Sequence, residues 1–218
     1  MERVGRRGNI LKIDSLESNK SALKHAGDVL LSGGVVAFPT ESFYGLAVDT
    51  QNDRAIEKLF SLKQRDRHNP ILIILPEKEE LKKYVADIPE QAVKLINAFW
   101  PGGLTLVLNA GSAISPLLTA DTSKIGVRLS SHTVATGLAR SIGRPVTGTS
   151  SNISGQPPCT RADEVYDSFG TSIDLIIDNG PTAGGKGSTI LDVTVDPCVV
   201  IREGMVFGSD IKKILSHL

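Results

Sequence analysis

The chain is poor in cysteine. Cys159 and Cys198 are its only two, far apart and outside any C-x-x-C pair. His25, His68, His132 and His217 fall at no metal-ligand spacing. A zinc module and a dithiol redox centre are therefore excluded, and the thiols read as free in a reducing compartment. The chain also lacks an excess of either charge. Lys plus Arg and Asp plus Glu are 24 each, and the pI is near 6.9, which argues against a general nucleic-acid coat protein. No uncharged apolar run is long enough to span a bilayer. Arg3, Arg6 and Arg7 make the N-terminus basic, but no apolar core follows, so no secretory leader is expected. A cytoplasmic location without a membrane partner is the expectation. No Ser/His/Asp grouping offers a nucleophile.

What is present is an alternation of apolar strands and amphipathic helices over 218 residues. Ala22, Leu23, Ala26, Val29 and Leu30 recur at helical spacing, and Gly33-Gly34 ends that helix. Val35 to Phe38 reads as a strand closed by Pro39. Asp53 is placed to cap a helix through Ala55, Ile56, Leu59, Phe60 and Leu62. Ile71 to Leu75 reads as a buried strand. Helices around 79–85 and 90–99 follow, then strands at 104–108 and 125–129, a helix near 134–142 and a strand near 145–149. Thr160 with Asp163 resembles a capping box. Strands at 175–178, 189–193 and 199–202 precede a last helix at 209–217. Several strands follow one another with no helix between, which predicts an α/β fold with a mixed sheet. One domain over residues 1–218 is expected.

The most informative segment is Lys63-Gln-Arg65-Asp-Arg67-His68-Asn69-Pro70. Three cations at alternate positions would share one face if the backbone were extended. On a neutral protein such a comb points to a discrete anion, such as a phosphate chain or a carboxylate. A solvated charged loop is the plainer reading, and the company of other segments decides against it. Pro39-Thr40-Glu41-Ser42-Phe43-Tyr44-Gly45-Leu46 reads as a polar turn at a strand end, where α/β proteins place ligand contacts. Arg128 lies within an apolar strand. There it either holds an internal carboxylate or forks onto a ligand carboxylate, and the second is favoured. Gly148-Thr149-Ser150-Ser151-Asn152-Ile153-Ser154-Gly155 is dense in hydroxyls that suit phosphate oxygens, although ordinary Ser/Gly turns look alike. Gly180 to Ser188 imitates a P-loop, but Gly187 follows Lys186 and a strand comes next, so an NTPase is excluded. The glycines there predict a mobile loop with Ser188 at its rim. Trp100-Pro101-Gly102-Gly103 is read as punctuation with a core tryptophan, and Arg202 as a surface arginine paired with Glu203 unless a ligand claims it.

Taken in order, Thr40 to Leu46, Lys63-x-Arg65, Ser150-x-Asn152 with Ser154-Gly155, Gly187-Ser188-Thr189 and Ile201-Arg202-Glu203-Gly204 resemble the YrdC-like family of threonylcarbamoyl-adenylate synthases, over about residues 33–204. The resemblance implies a twisted open mixed sheet flanked by helices, with a concave positively charged face. It implies synthesis of threonylcarbamoyl-AMP and pyrophosphate from L-threonine, bicarbonate and ATP, with Mg²⁺ accompanying the nucleotide. The product would serve N6-threonylcarbamoyladenosine formation in tRNA through downstream threonylcarbamoyl-transferase proteins. By similarity Lys63 and Arg65 carry the chemistry, and Lys63, Arg65, Asn69, Lys124, Ser150, Asn152, Pro158 and Arg202 line the nucleotide side. Thr40, Arg128, Gly148 and Ser188 line the threonine side. The chain departs from the family pattern at Ser151, at Gly103 and at Ile74, where a histidine is common. The competing expectation is a YrdC-like module that binds RNA or nucleotide without this chemistry.

Overall fold

The computed structural model describes residues 8–14 and 16–216. In chain order the elements are β1 (Ile10–Lys12), α1 (Leu16–Leu31), β2 (Val36–Pro39), β3 (Tyr44–Ala47), α2 (Asp53–Lys63), β4 (Ile73–Ile74), α3 (Glu90–Phe99), β5 (Leu104–Asn109), α4 (Pro116–Thr119), β6 (Lys124–Arg128), α5 (Thr133–Ser141), β7 (Val146–Thr147), β8 (Thr149–Ser150), α6 (Ala162–Phe169), β9 (Leu175–Asp178), β10 (Thr189–Asp192), β11 (Val199–Arg202) and α7 (Gly208–Leu215). The mixed sheet expected from the strand pattern is two sheets. One has the order β1-β9-β2-β3-β8 and the other β11-β10-β5-β6-β4-β7, each with parallel and antiparallel pairs.

Side-chain alternation explains why β2 and β4 read as unbroken apolar runs. In β2, Ala37 joins one core cluster while Val36 and Phe38 join the other. In β4, Ile73 and Ile74 divide the same way. A strand with both faces covered needs apolar residues at every position. The larger cluster gathers β3, β5 and β6 with α2 and α3, and the smaller packs β2 against α1 and α5. Each fully buried Leu, Ile or Phe here contributes on the order of 2 kcal/mol.

Several boundaries differ from expectation for local reasons. The 79–85 segment is a 3₁₀ helix, Lys78–Lys83. Asn52, not Asp53, caps α2, its Oδ1 accepting from Ala55 N at 3.1 Å, while Asp53 accepts from Ser115 Oγ at 2.7 Å. The box before α6 pairs Thr160 with Glu164 instead of Asp163: Thr160 N donates to Glu164 Oε2 at 2.7 Å. The single strand expected near 145–149 is β7 and β8, split at Gly148 and paired into different sheets. Two strands, β1 and β3, lay hidden, β3 within what reads as a turn. The last helix ends at Leu215. Arg3, Arg6, Arg7 and His217 lie outside the described residues. Among the described residues no helix is long and apolar enough to cross a membrane.

The segment after β3 is clamped to the turn before β7. Arg144 donates from Nε to Asp49 Oδ1 at 2.9 Å and from Nη2 to Asp49 Oδ2 at 2.7 Å, and Thr50 Oγ1 donates to Pro145 O at 2.9 Å. Asp49 is 3% exposed, so that fork stands in for the hydration its carboxylate gives up. Arg144→Ala is expected to lower unfolding free energy by about 3 kcal/mol, because it strands a buried carboxylate. Urea denaturation followed by circular dichroism measures it.

Candidate active site

The sheet order places the ends of β2, β3 and β8 opposite β5, β6, β10 and β11, and between them lies an open cavity of about 650 Å³. Its wall includes Thr40, Arg65, Lys124, Arg128, Gly148, Ser150, Pro158, Ser188 and Arg202, nine of the twelve residues expected from sequence. Lys63, Asn69 and Asn152 are not on the wall.

The comb reading of 63–67 does not hold, because the backbone there is not extended. Lys63 is the last residue of α2, and Gln64 follows in the left-handed region at φ 49°. Arg67 is exposed and faces Glu57 at 3.6 Å. Lys63 is 1% exposed. Its ammonium donates to Ser150 O, to Asn152 O at 2.8 Å and to Asn152 Oδ1 at 3.4 Å. Three donors meet three acceptors, so Lys63 ties the 150–152 loop from behind. Burial first, and then the Arg65 guanidinium, push this ammonium down to about 8. Asn152 is likewise committed to the loop. Its Nδ2 donates to Ile153 O at 3.0 Å and to Gln156 O at 2.7 Å, and its Oδ1 accepts from Ser150 Oγ at 2.5 Å. Asn69 is exposed, and its carbonyl accepts from Arg65 Nε at 3.1 Å. All three shape the wall without forming it.

Three arginines do face the cavity. Arg65 is held by Asn69 O and by Pro70 O, at 2.8 Å from its Nη2. Arg202 donates from Nη2 to Ser188 O at 2.8 Å and to Ser188 Oγ at 3.2 Å, so it is held by Ser188 and not by Glu203. Arg128, 5% exposed in β6, has Glu41 Oε2 at 3.5 Å from its Nη1. The internal carboxylate and the open cavity are thus both present at Arg128. Desolvation presses each arginine down, and the guanidiniums press on one another: Arg202 on Arg65, and Arg128 on Arg202. Guanidinium nonetheless keeps its charge. Repelling cations held in one recess form a site for an anion.

The polar turns supply neutral contacts. Thr40 Oγ1 donates to Phe43 O at 2.7 Å and closes its turn. Ser188 is buried, not at a rim, and its Oγ accepts from Thr105 Oγ1 at 2.9 Å. Gly204 permits the approach that seats Arg202, since a Cβ there would lie 2.2 Å from Gly187 O. The floor under Gly148 is aliphatic, and an added Cβ would meet Leu72 Cδ1 at 2.6 Å and Ile74 Cδ1 at 2.9 Å. Sequence reasoning passed over Lys186, Asp192 and Glu203, which also line the cavity. Lys186 sits over the Phe207 ring at 5.9 Å, and Asp192 accepts from Lys124 Nζ at 2.9 Å. Periodicity could not find them, because each belongs to a loop or strand end that only the fold brings round. Both cysteines are free. Among the described residues no group of three or more acidic, histidine or cysteine side chains could hold a metal ion.

Lys63→Met keeps the volume but leaves Asn152 O without a donor and takes one donor each from Ser150 O and Asn152 Oδ1. It is expected to cost about 3 kcal/mol of stability. Because the folded-state value of Lys63 is depressed, its contribution is least below about pH 8 and grows as pH rises toward the unfolded value of about 10.4. Denaturant midpoints of the two proteins between pH 7 and 10 are therefore expected to diverge upward with pH. A constant difference would contradict the assignment.

Residues 28–204 match the Sua5/YciO/YrdC family profile, described as telomere recombination. A threonylcarbamoyl-AMP synthase of Pyrococcus abyssi is 35% identical over 90% of this chain and 58% of its own length. One of Bacillus subtilis is 34% identical over 94% of this chain and 60% of its own length. The chain thus spans less than two thirds of those relatives, whereas it covers 100% of the synthase of Photobacterium profundum, at 35% identity over 88% of this chain. Among solved structures, P. abyssi Sua5 complexed with L-threonine superposes with a TM-score of 0.90 at 34% identity, covering 94% of this chain and 60% of that one. Escherichia coli YciO superposes with a TM-score of 0.82 at 26% identity, covering 91% and 95%. With two mixed sheets flanked by helices and a profile match over most of its length, the chain belongs to the Sua5/YciO/YrdC family.

Proposed function

We propose that this chain is an L-threonylcarbamoyladenylate synthase. The observation that carries the reading is the recess holding Arg65, Arg128 and Arg202, with no nucleophile and base paired at it. Nucleotidyl transfer suits such a site, because both reacting groups belong to substrates. The threonine amine and bicarbonate give a carbamate and water. A carbamate oxygen then attacks the α-phosphorus of ATP, and the bond to the β-phosphate oxygen breaks to release pyrophosphate. The protein positions the reactants and offsets charge on the phosphates. Arg65 and Arg202, with Lys124, Ser150 and Pro158, take the nucleotide side. Arg128 forks onto the threonine carboxylate, with Thr40, Gly148 and Ser188 beside it. Lys63, Asn69 and Asn152 act through the wall they hold. Mg²⁺ arrives on the triphosphate, since the described residues offer it no cage and Mg²⁺ commonly binds through substrate phosphates.

The activity for which the relatives are named supports this reading, as does the likeness to a threonine-bound Sua5 structure. A cytoplasmic place and delivery of the product to threonylcarbamoyl-transferase proteins acting on tRNA complete the proposal. The alternative of an RNA-binding module without turnover would need a continuous basic surface, and the balanced net charge speaks against it.

The test is pyrophosphate release with each substrate omitted in turn. Release that requires L-threonine, bicarbonate and ATP together is expected, and release indifferent to threonine would overturn the reading. Arg65→Ala is expected to fold and to lose about two to three powers of ten in kcat, the scale of one electrostatic contact to a developing charge. A variant near the wild-type rate would remove Arg65 from its role.

A further inference from the structure

Arg128 differs from the other two cavity arginines in how it is held. Arg65 and Arg202 are anchored by hydrogen bonds to carbonyls. The Arg128 guanidinium makes no hydrogen bond to a described residue, and its Nε is a buried donor without an acceptor. Its companion is Glu41, and the two side chains are 7% and 10% exposed. Glu41 is not on the cavity wall, whereas Arg128 is. The carboxylate therefore pairs with the guanidinium from off the wall that the guanidinium reaches.

Glu41 is itself fixed with unusual care. Its Oε1 accepts from Ser130 Oγ at 2.7 Å, from Ser131 N at 2.5 Å and from Ser131 Oγ at 3.1 Å. These donors belong to the turn directly after β6, the strand that carries Arg128. With Oε1 held, Oε2 faces Arg128 and has no hydrogen-bond donor of its own. The 3.5 Å separation is an ion pair, yet longer than a charge-assisted hydrogen bond. The guanidinium is thus neutralised without its donor fork being closed. The Arg128 guanidinium in turn presses on that of Arg202.

We infer that Glu41, oriented by Ser130 and Ser131, is the positioning residue for Arg128, holding its guanidinium at the cavity wall with donors left open for a ligand carboxylate. The inference rests on the proposed synthase reading in naming that ligand as L-threonine. Removing the Glu41 charge frees Arg128 to swing toward other acceptors of the cavity, Asp192 and Glu203 among them. Carboxylate binding weakens while the nucleotide side is left as it was.

The test is calorimetric binding of L-threonine, L-threoninol and ATP to the full chain. Wild type is expected to bind L-threonine and to bind L-threoninol, which lacks the carboxylate, far more weakly. Glu41→Gln keeps the acceptor for Ser130 and Ser131 but removes the charge. It is expected to weaken L-threonine about tenfold, the scale of one charge-assisted contact, and to leave ATP within about twofold. In an Arg128→Met background it is expected to have no further effect on L-threonine. Ser131→Ala, which loosens Oε1 at an exposed residue and keeps both charges, is expected to weaken L-threonine about threefold and serves if Glu41→Gln fails to fold. Unchanged L-threonine affinity in Glu41→Gln or Ser131→Ala, equal loss of both ligands, or a further loss in the Arg128→Met background would each overturn the inference. A wild type that binds threonine in this Glu41-dependent way yet releases no pyrophosphate would overturn the synthase reading alone. A wild type that binds no threonine would overturn both.

Discussion

Three guanidinium groups that repel one another are kept in one recess, and most of the site's architecture follows from that constraint. A partly buried arginine loses solvation, and a second beside it adds Coulomb repulsion, so each must be anchored. Arg65 is tied to the carbonyls of the 69–70 turn, Arg202 to Ser188, and Arg128 to Glu41. Glu41 and Asn69 lie off the cavity wall, whereas Pro70 and Ser188 are part of it. The charges cannot relax apart, and a polyanion entering the cavity relieves the repulsion. Preorganised charge of this kind favours a transition state that gathers negative charge on phosphate oxygens.

The anchors depend in turn on how the two sheets meet. β7 and β8 are consecutive, yet one pairs with β4 and the other with β3, so the chain crosses between sheets at Gly148. The 150–154 turn that follows is bound to the C-terminal end of α2 by Lys63, and Ser154 N donates to Lys63 O at 2.9 Å. On the other sheet, Gly204 lies so close to the 187–189 segment that Arg202 reaches Ser188. Fold and site are thus joined through a few close approaches that larger side chains would prevent.

Much of this was legible in the sequence. The apolar runs at 36–38, 104–108 and 175–178 gave strands, because burial on one or both faces imposes a pattern that sequence records. Helix α3 was legible to the residue, and Thr40, Ser150, Ser188 and Arg202, singled out in separate segments, all line one cavity. What failed were features decided by long-range packing. Nothing local marks Gln64 as left-handed, so Lys63 to Arg67 reads as a comb although Lys63 ends a helix and turns inward. Tyr44 to Ala47 reads as a turn because β3 is a strand only by virtue of β2 and β8 on its flanks. Glu41 was visible as a carboxylate in a polar turn, but its pairing with Arg128 spans 87 positions and exists only in the fold.

A crystal structure of the chain with ATP and L-threonine is the most direct measurement of the central claim. The account predicts the triphosphate against Arg65 and Arg202, the threonine carboxylate on the Arg128 fork, and Lys63 still bound to the 150–152 loop. A nucleotide lodged outside the recess, with the three arginines bare, would contradict it.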